Sequence, residues 1–149
     1  MTERIVVPRI ARLLGYAGLV PFAAGAVALL TLGLGPERAW AMAGLFSYGV
    51  AILSFLGGAR WGMALSAEPD APDVGVLILS VLPSLVAAVA AGLVFVSGVL
   101  AHGALIAGFA LMWLWDVRSA EPPAWYPALR TPLTIGAVLS LSVGLYASL

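Results

Sequence analysis

The sequence predicts an all-α, polytopic membrane bundle of about five transmembrane helices, and three observations predict it. First, 62% of the 149 residues are hydrophobic and only 9% are charged, with a mean hydropathy of +1.08; soluble domains run nearer about 45–50% apolar and about a quarter charged. Second, the apolar residues fall into runs long enough to cross about 30 Å of hydrocarbon, which takes about 20 residues of helix. Third, charges, prolines and glycines gather between the runs.

The first span runs from Leu13 to Leu34, behind the arginine-bearing head MTERIVVPRIAR, and stops at Gly35-Pro36-Glu37-Arg38. This head and run resemble a signal peptide with Ala26-Val27-Ala28 as a cleavage site, but the stretch is longer than a usual h-region, so a retained span is expected. The second begins at Trp40, an interfacial anchor, and continues to Leu65 before the acidic loop Ser66-Ala67-Glu68-Pro69-Asp70-Ala71-Pro72-Asp73. From Val74 to Val117 the only charged residue is Asp116. A single helix of that length would overrun the bilayer about twofold at about 1.5 Å per residue, so the segment must fold back. Breaking it at Ser97-Gly98 leaves two adequate spans, residues 74–96 and 99–117. The last span, Pro132 to Leu149, has proline at its start, where a missing N–H costs nothing.

Arginine placement orients the set by the positive-inside rule. With the N-terminus inside and the C-terminus outside, Arg4, Arg9, Arg12, Arg60, Arg118 and Arg130 fall on the cytoplasmic side and only Arg38 outside. The formal net charge is zero and all seven basic residues are arginine, so there is no patch to steer a polyanion and no nucleic-acid partner is expected. The chain has no cysteine and one histidine, which excludes disulfides, thiolate zinc sites and iron–sulfur ligation from this chain alone. No metal and no cofactor are expected.

Two features stand out. Ser54, Gly58, Gly62 and Ser66 recur every four residues along the second span, as do Gly136, Ser140, Gly144 and Ser148 along the fifth. In lipid, helices associate by close van der Waals contact, so such stripes are expected to be packing seams. Pro21 and Pro83 interrupt the first and third spans and free the carbonyls of Ala17 and Leu79, which can shape a cavity.

The more specific feature is a convergence of polar and aromatic side chains at the cytoplasmic ends of helices two, four and five: Arg60, Trp61, Asp116, Trp125, Tyr126 and Arg130. Arg60 lies more than a turn inside the boundary at Leu65, where an unpaired charge costs up to about 2.5–3.5 kcal/mol toward the bilayer centre. It should have a partner, and Asp116 is expected to pair with Arg60 or Arg130. The proline-rich segment with Trp125 and Tyr126 suits a cap at headgroup level. Guanidinium groups beside tryptophan faces either anchor helix ends or receive an anionic headgroup or amphipathic ligand. Catalytic constellations are lacking, since there is no buried carboxylate pair, no Gly-x-Ser-x-Gly and no nucleotide-binding glycine loop. The nearest dyad, Ser97 with His102, falls in the external turn, and His102 is expected to be interfacial.

Residues 48–62, Tyr48-Gly49-Val50-Ala51-Ile52-Leu53-Ser54-Phe55-Leu56-Gly57-Gly58-Ala59-Arg60-Trp61-Gly62, with Pro123-Ala124-Trp125-Tyr126-Pro127-Ala128-Leu129-Arg130 and Thr131-Pro132-Leu133-Thr134, resemble the uncharacterised family that includes human transmembrane protein 69. The resemblance covers nearly the whole chain. It implies a multi-helix protein of bacterial inner membranes with mitochondrial relatives, and the lack of a long presequence suggests a bacterial member. It implies no activity. Length and helix number are also similar to the tryptophan-rich sensory family, which binds tetrapyrroles and sterols, but only in architecture.

The sequence therefore leads to a non-enzymatic membrane scaffold, assembly or interaction protein, with membrane lipids, another membrane protein or a second copy as partners. The competing expectation is a binder or carrier of lipid, quinone or tetrapyrrole, in a cavity between kinked helices one and three walled by Arg60 and Trp61.

Overall fold

The structure, a computed structural model, describes residues 7–67, 71, 73–119 and 122–149. Its five helices are α1 (Arg9–Thr31), α2 (Pro36–Ala67), α3 (Val74–Leu93), α4 (Gly98–Arg118) and α5 (Tyr126–Tyr146), with no strand among the described residues. All five are long and apolar enough to cross a membrane. Arg4, Glu68, Pro69, Asp70 and Pro72, which entered the charge and loop expectations, lie outside the described residues.

Local chemistry sets the ends. Pro36 opens α2 with Glu37 in its first turn, where proline's missing N–H is harmless and a carboxylate meets the positive end of the helix dipole. Arg38 reaches back from α2, donating through Nη1 to the carbonyl of Leu29 and to that of Leu32 at 3.3 Å. It thereby satisfies carbonyls left bare where α1 stops. The Asp73 carboxylate caps α3, accepting from the backbone N–H groups of Gly75 at 2.7 Å and Val76 at 3.2 Å. Ser97 caps α4, accepting from Leu100 N–H at 3.3 Å, so the long apolar segment folds back at the expected place.

The fifth helix differs from expectation. It begins at Tyr126, with Pro127 in its first turn and Pro132 inside it. Pro127 takes the opening role assigned to Pro132, and the cap segment shrinks to a short turn in which Tyr126 N–H donates to Pro123 O at 2.8 Å. Arg130 consequently sits in the second turn of α5 rather than at its opening.

Consecutive helices pack against one another, α5 closes back onto α1, and α2 also reaches α4 and α5. The buried core runs through Phe22, Leu29, Leu45, Leu53, Leu105, Phe109 and Leu141. Phe22 meets Tyr48 and Phe109 edge-on, at 4.9 and 5.9 Å between ring centroids, the arrangement that aromatic quadrupoles favour. Tyr48 also donates its hydroxyl to Gly18 O at 2.9 Å, tying α2 to α1. Outside, Leu13, Val20, Leu30, Phe55, Val89, Leu111 and Leu139 are more than half exposed. Apolar side chains over the outer face, with Arg60, Asp116 and Arg130 buried within and exposed charges such as Arg9, Glu37, Asp73 and Arg118 at helix ends, are the arrangement of a protein solvated by lipid; the chain is a membrane protein.

The small-residue stripes divide. On α5, a Cβ on Gly136 would lie 3.0 Å from Leu19 of α1, one on Gly144 would lie 2.6 Å from His102 Nε2 of α4, and Ser140 is buried between them. On α2, Gly58 and Gly62 face open space and Ser54 is only half-buried, so that stripe is not a seam between these helices. The seam lies one residue over, at Gly49 and Gly57. Each residue of a helix turns about 100° from the last, and the buried face of α2 follows Gly49, Leu53, Gly57 and Arg60.

Candidate functional site: a buried arginine–aspartate cluster

Asp116 lies two residues before the end of α4 and is fully buried. Its Oδ2 accepts from Arg130 Nε at 2.8 Å, and its Oδ1 lies 4.0 Å from Arg60 Nε. The expected pairing with Arg60 or Arg130 is thus met by both, with Arg130 making the hydrogen bond. Arg60, 1% exposed, also donates through Nη2 to Ser119 Oγ at 2.8 Å, and its guanidinium lies 4.1 Å from the centroid of the Trp115 ring. The Trp113 indole N–H donates to Thr131 Oγ1 at 3.0 Å, a second link from α4 to α5. Three helix ends are therefore joined around one carboxylate. Buried ion pairs add little net stability over an apolar core, but removing one partner leaves a charge stranded and is strongly destabilising.

Of the residues singled out from sequence, Arg60, Asp116 and Arg130 come together. Trp61 does not join them; it is 41% exposed and faces outward, because the residue after Arg60 is turned about 100° away. Trp115 takes the place expected of it. Trp125 and Tyr126 pack edge-on at 6.0 Å, both half-buried at the start of α5, beside the cluster. Sequence reasoning missed Trp115, Ser119 and the Trp113–Thr131 bond. The nearest signal was the run Trp113-Leu114-Trp115-Asp116, in which an aromatic directly precedes the buried acid.

His102, expected to be interfacial, is 2% exposed. Its Nδ1 lies 2.9 Å from Gly98 O, which fixes Nδ1 as the protonated nitrogen because a carbonyl only accepts. Phe46 meets the ring edge-on at 5.1 Å and Gly144 backs it. The glycine allows α5 close enough to α4 to enclose the imidazole.

No cavity forms between α1 and α3, which do not touch among the described residues. Open space lies elsewhere. An apolar crevice of about 300 Å³ between α3 and α4 is lined by Leu82, Pro83, Val86, Leu111 and Trp115. Another of about 150 Å³, formed mainly by α1, α2 and α5, has Arg130 in its wall. Among the described residues no three histidine or acidic side chains are grouped so as to hold a metal ion.

Comparison with known proteins bears on the whole bundle. Transmembrane protein 69 of Xenopus tropicalis is 38% identical over 138 residues, which is 90% of this chain and 53% of that protein. The chain therefore spans about half the length of the curated relative it matches. No solved structure matches significantly. The model of the family described as "Protein of unknown function (DUF3429)" matches residues 7–146, from before the first helix to the end of the last, and the chain belongs to that family.

Proposed function

We propose that this protein is a non-enzymatic assembly or interaction protein of a bacterial inner membrane, with its arginine-rich end and N-terminus in the cytoplasm. The observation that carries this reading is the closure of the polar cluster on itself. Asp116 accepts from Arg130, Arg60 donates to Ser119, and Arg60 lies 4.0 Å from Asp116 and 4.1 Å from the Trp115 ring centroid, so these groups turn toward one another and fix helix ends together. A clasp of this kind holds the arginine-rich face of the bundle in one shape, which is what a docking surface requires. The orientation rests on Arg9, Arg12, Arg60, Arg118 and Arg130, which lie toward one end of the up-and-down bundle, while Arg38 lies at the other.

Purification in several mild detergents tests the reading. A stoichiometric membrane-protein partner or a defined oligomer is the expected result. A lone monomer in every detergent would refute it.

A further inference from the structure

Trp40 and Trp61 stand on the outside of α2, 77% and 41% exposed. They are twenty-one residues apart, about 32 Å along a helix at about 1.5 Å per residue, and the hydrocarbon of a bilayer is about 30 Å thick. Exposed tryptophan collects where hydrocarbon meets headgroups, because its ring is apolar and its N–H needs a polar partner.

Contacts between helices carry the level of Trp61 across the bundle. A Cβ on Gly25 of α1 would lie 2.9 Å from Leu45 Cβ of α2. The two helices run antiparallel through a short turn, so Arg9, sixteen residues before Gly25, is level with Trp61, sixteen after Leu45. On α4, Leu105 meets Gly49 and Gly108 meets Leu53, so α4 runs parallel to α2. Asp116, eight residues after Gly108, is then level with Trp61, eight after Leu53. Arg118 lies about 3 Å beyond that level and Arg12 about 4.5 Å short of it. Arg9, Arg12 and Arg118 are exposed, and none of them has an ion pair or side-chain hydrogen bond among the described residues. Of the described carboxylates at that end, Asp116 is buried and Asp73 accepts from the backbone at the start of α3.

From these levels we infer that Arg9, Arg12 and Arg118 form a phospholipid-binding edge of the bundle, holding the phosphates of the leaflet at Trp61 while Trp40 meets the opposite leaflet. The hydrocarbon then ends at Trp61 rather than at Leu65, four residues further on. A guanidinium that faces hydrocarbon turns its head toward the headgroups, and the phosphate oxygens standing there are acceptors it bonds strongly. Arg12 needs this most, because its backbone lies inside the edge and its side chain is exposed to lipid. Arg60 and Arg130, at nearly the same level, are buried and turned to Asp116, so they stay out of the lipid contact. This inference stands apart from the assembly reading, which the cluster alone supports.

Two measurements on the full chain in dioleoyl phosphatidylcholine vesicles test it. The chain has no cysteine, so single substitutions Gly44→Cys, Ala51→Cys, Gly58→Cys and Gly62→Cys report alone when spin-labelled. A Cβ at Gly44, Gly58 or Gly62 meets nothing within 4 Å, and Ala51 is exposed, so the labels leave the packing intact. Relaxation by oxygen against a water-soluble nickel chelate should place residue 51 deepest, residues 44 and 58 at similar intermediate depth, and residue 62 within reach of the chelate. Equal shelter of residues 58 and 62 would overturn the placement. The phosphate contact is read by solid-state NMR, as phosphorus–carbon dipolar dephasing at the Cζ of isotope-labelled arginine, in phosphate-free buffer so that lipid is the source of phosphorus. The parent should dephase, and the variant Arg9→Gln/Arg12→Gln/Arg118→Gln should lose most of that signal. No dephasing in the parent, which would leave these arginines to a protein partner, or undiminished dephasing in the variant, would overturn the inference. Should the triple variant fail to fold, the three single substitutions are read in the same way, and each should lose part of the signal; dephasing unchanged in all three would refute the contact.

Discussion

Replacing Gly57 by alanine tests the packing argument most directly, because the neighbouring glycine is its control. A Cβ on Gly57 would stand 2.5 Å from the backbone carbonyl oxygen of Ser80 and 3.3 Å from Pro83 Cβ, whereas one on Gly58 would meet nothing within 4 Å. Carbon and oxygen rest at about 3.3–3.6 Å, so α2 and α3 must part by most of an ångström. The obstacle is main chain of a packed helix and cannot rotate aside. Overpacking of this kind costs about 1–3 kcal/mol, against which alanine returns up to about 1 kcal/mol of helix propensity at either position. Gly57→Ala should therefore be about 1–2 kcal/mol less stable than the parent, and Gly58→Ala unchanged or slightly more stable. Thermal and denaturant unfolding in dodecyl maltoside, followed by tryptophan fluorescence, measures both. Equal stability of the two variants would refute the reading that Gly57 sets the α2–α3 distance.

Three further outcomes follow from the same contacts. In double-mutant cycles read by unfolding in detergent, Asp116→Asn should couple to Arg130→Gln by about 1.5–3 kcal/mol, the range for bonds to charged groups, and less strongly to Arg60→Gln, whose Nε is 4.0 Å away; a larger coupling to Arg60 would reverse the assignment. Trp115→Leu should cost about 0.5–2 kcal/mol through loss of the guanidinium contact, while Trp61→Leu, on the outer face, should lie within about 0.5 kcal/mol of the parent in the same assay. Gly144→Ala should destabilise by about 1–3 kcal/mol because its Cβ would lie 2.6 Å from His102 Nε2. Adding His102→Ala should restore most of the lost thermal stability, and absence of such rescue would show that another contact sets the cost.

Five helices and their approximate limits were legible in the sequence, because hydrocarbon thickness demands long apolar runs and interruptions are expensive inside lipid. The turn at Ser97-Gly98 was legible for the same reason. So was a partner for Arg60, since the depth of a charge can be counted along a helix from its apolar boundary. The start of α5 was not, because Tyr126, Pro127 and Pro132 serve equally well as an interfacial turn or as a first helical turn.

What the sequence determined by itself was composition along one axis, the membrane normal: which residues are apolar for long enough to cross, and near which end each arginine falls. Only the tertiary structure decided direction around each helix. The stripes Gly49-Leu53-Gly57 and Ser54-Gly58-Gly62 share one spacing and differ by a single step of about 100°, yet one meets α3, α4 and α5 while Gly58 and Gly62 of the other meet no neighbouring helix of this chain. That same rotation turned Arg60 inward and Trp61 outward. Hydropathy cannot resolve it, because lipid is as apolar as the core and a helix solvated by lipid carries no polar face to mark its outer side.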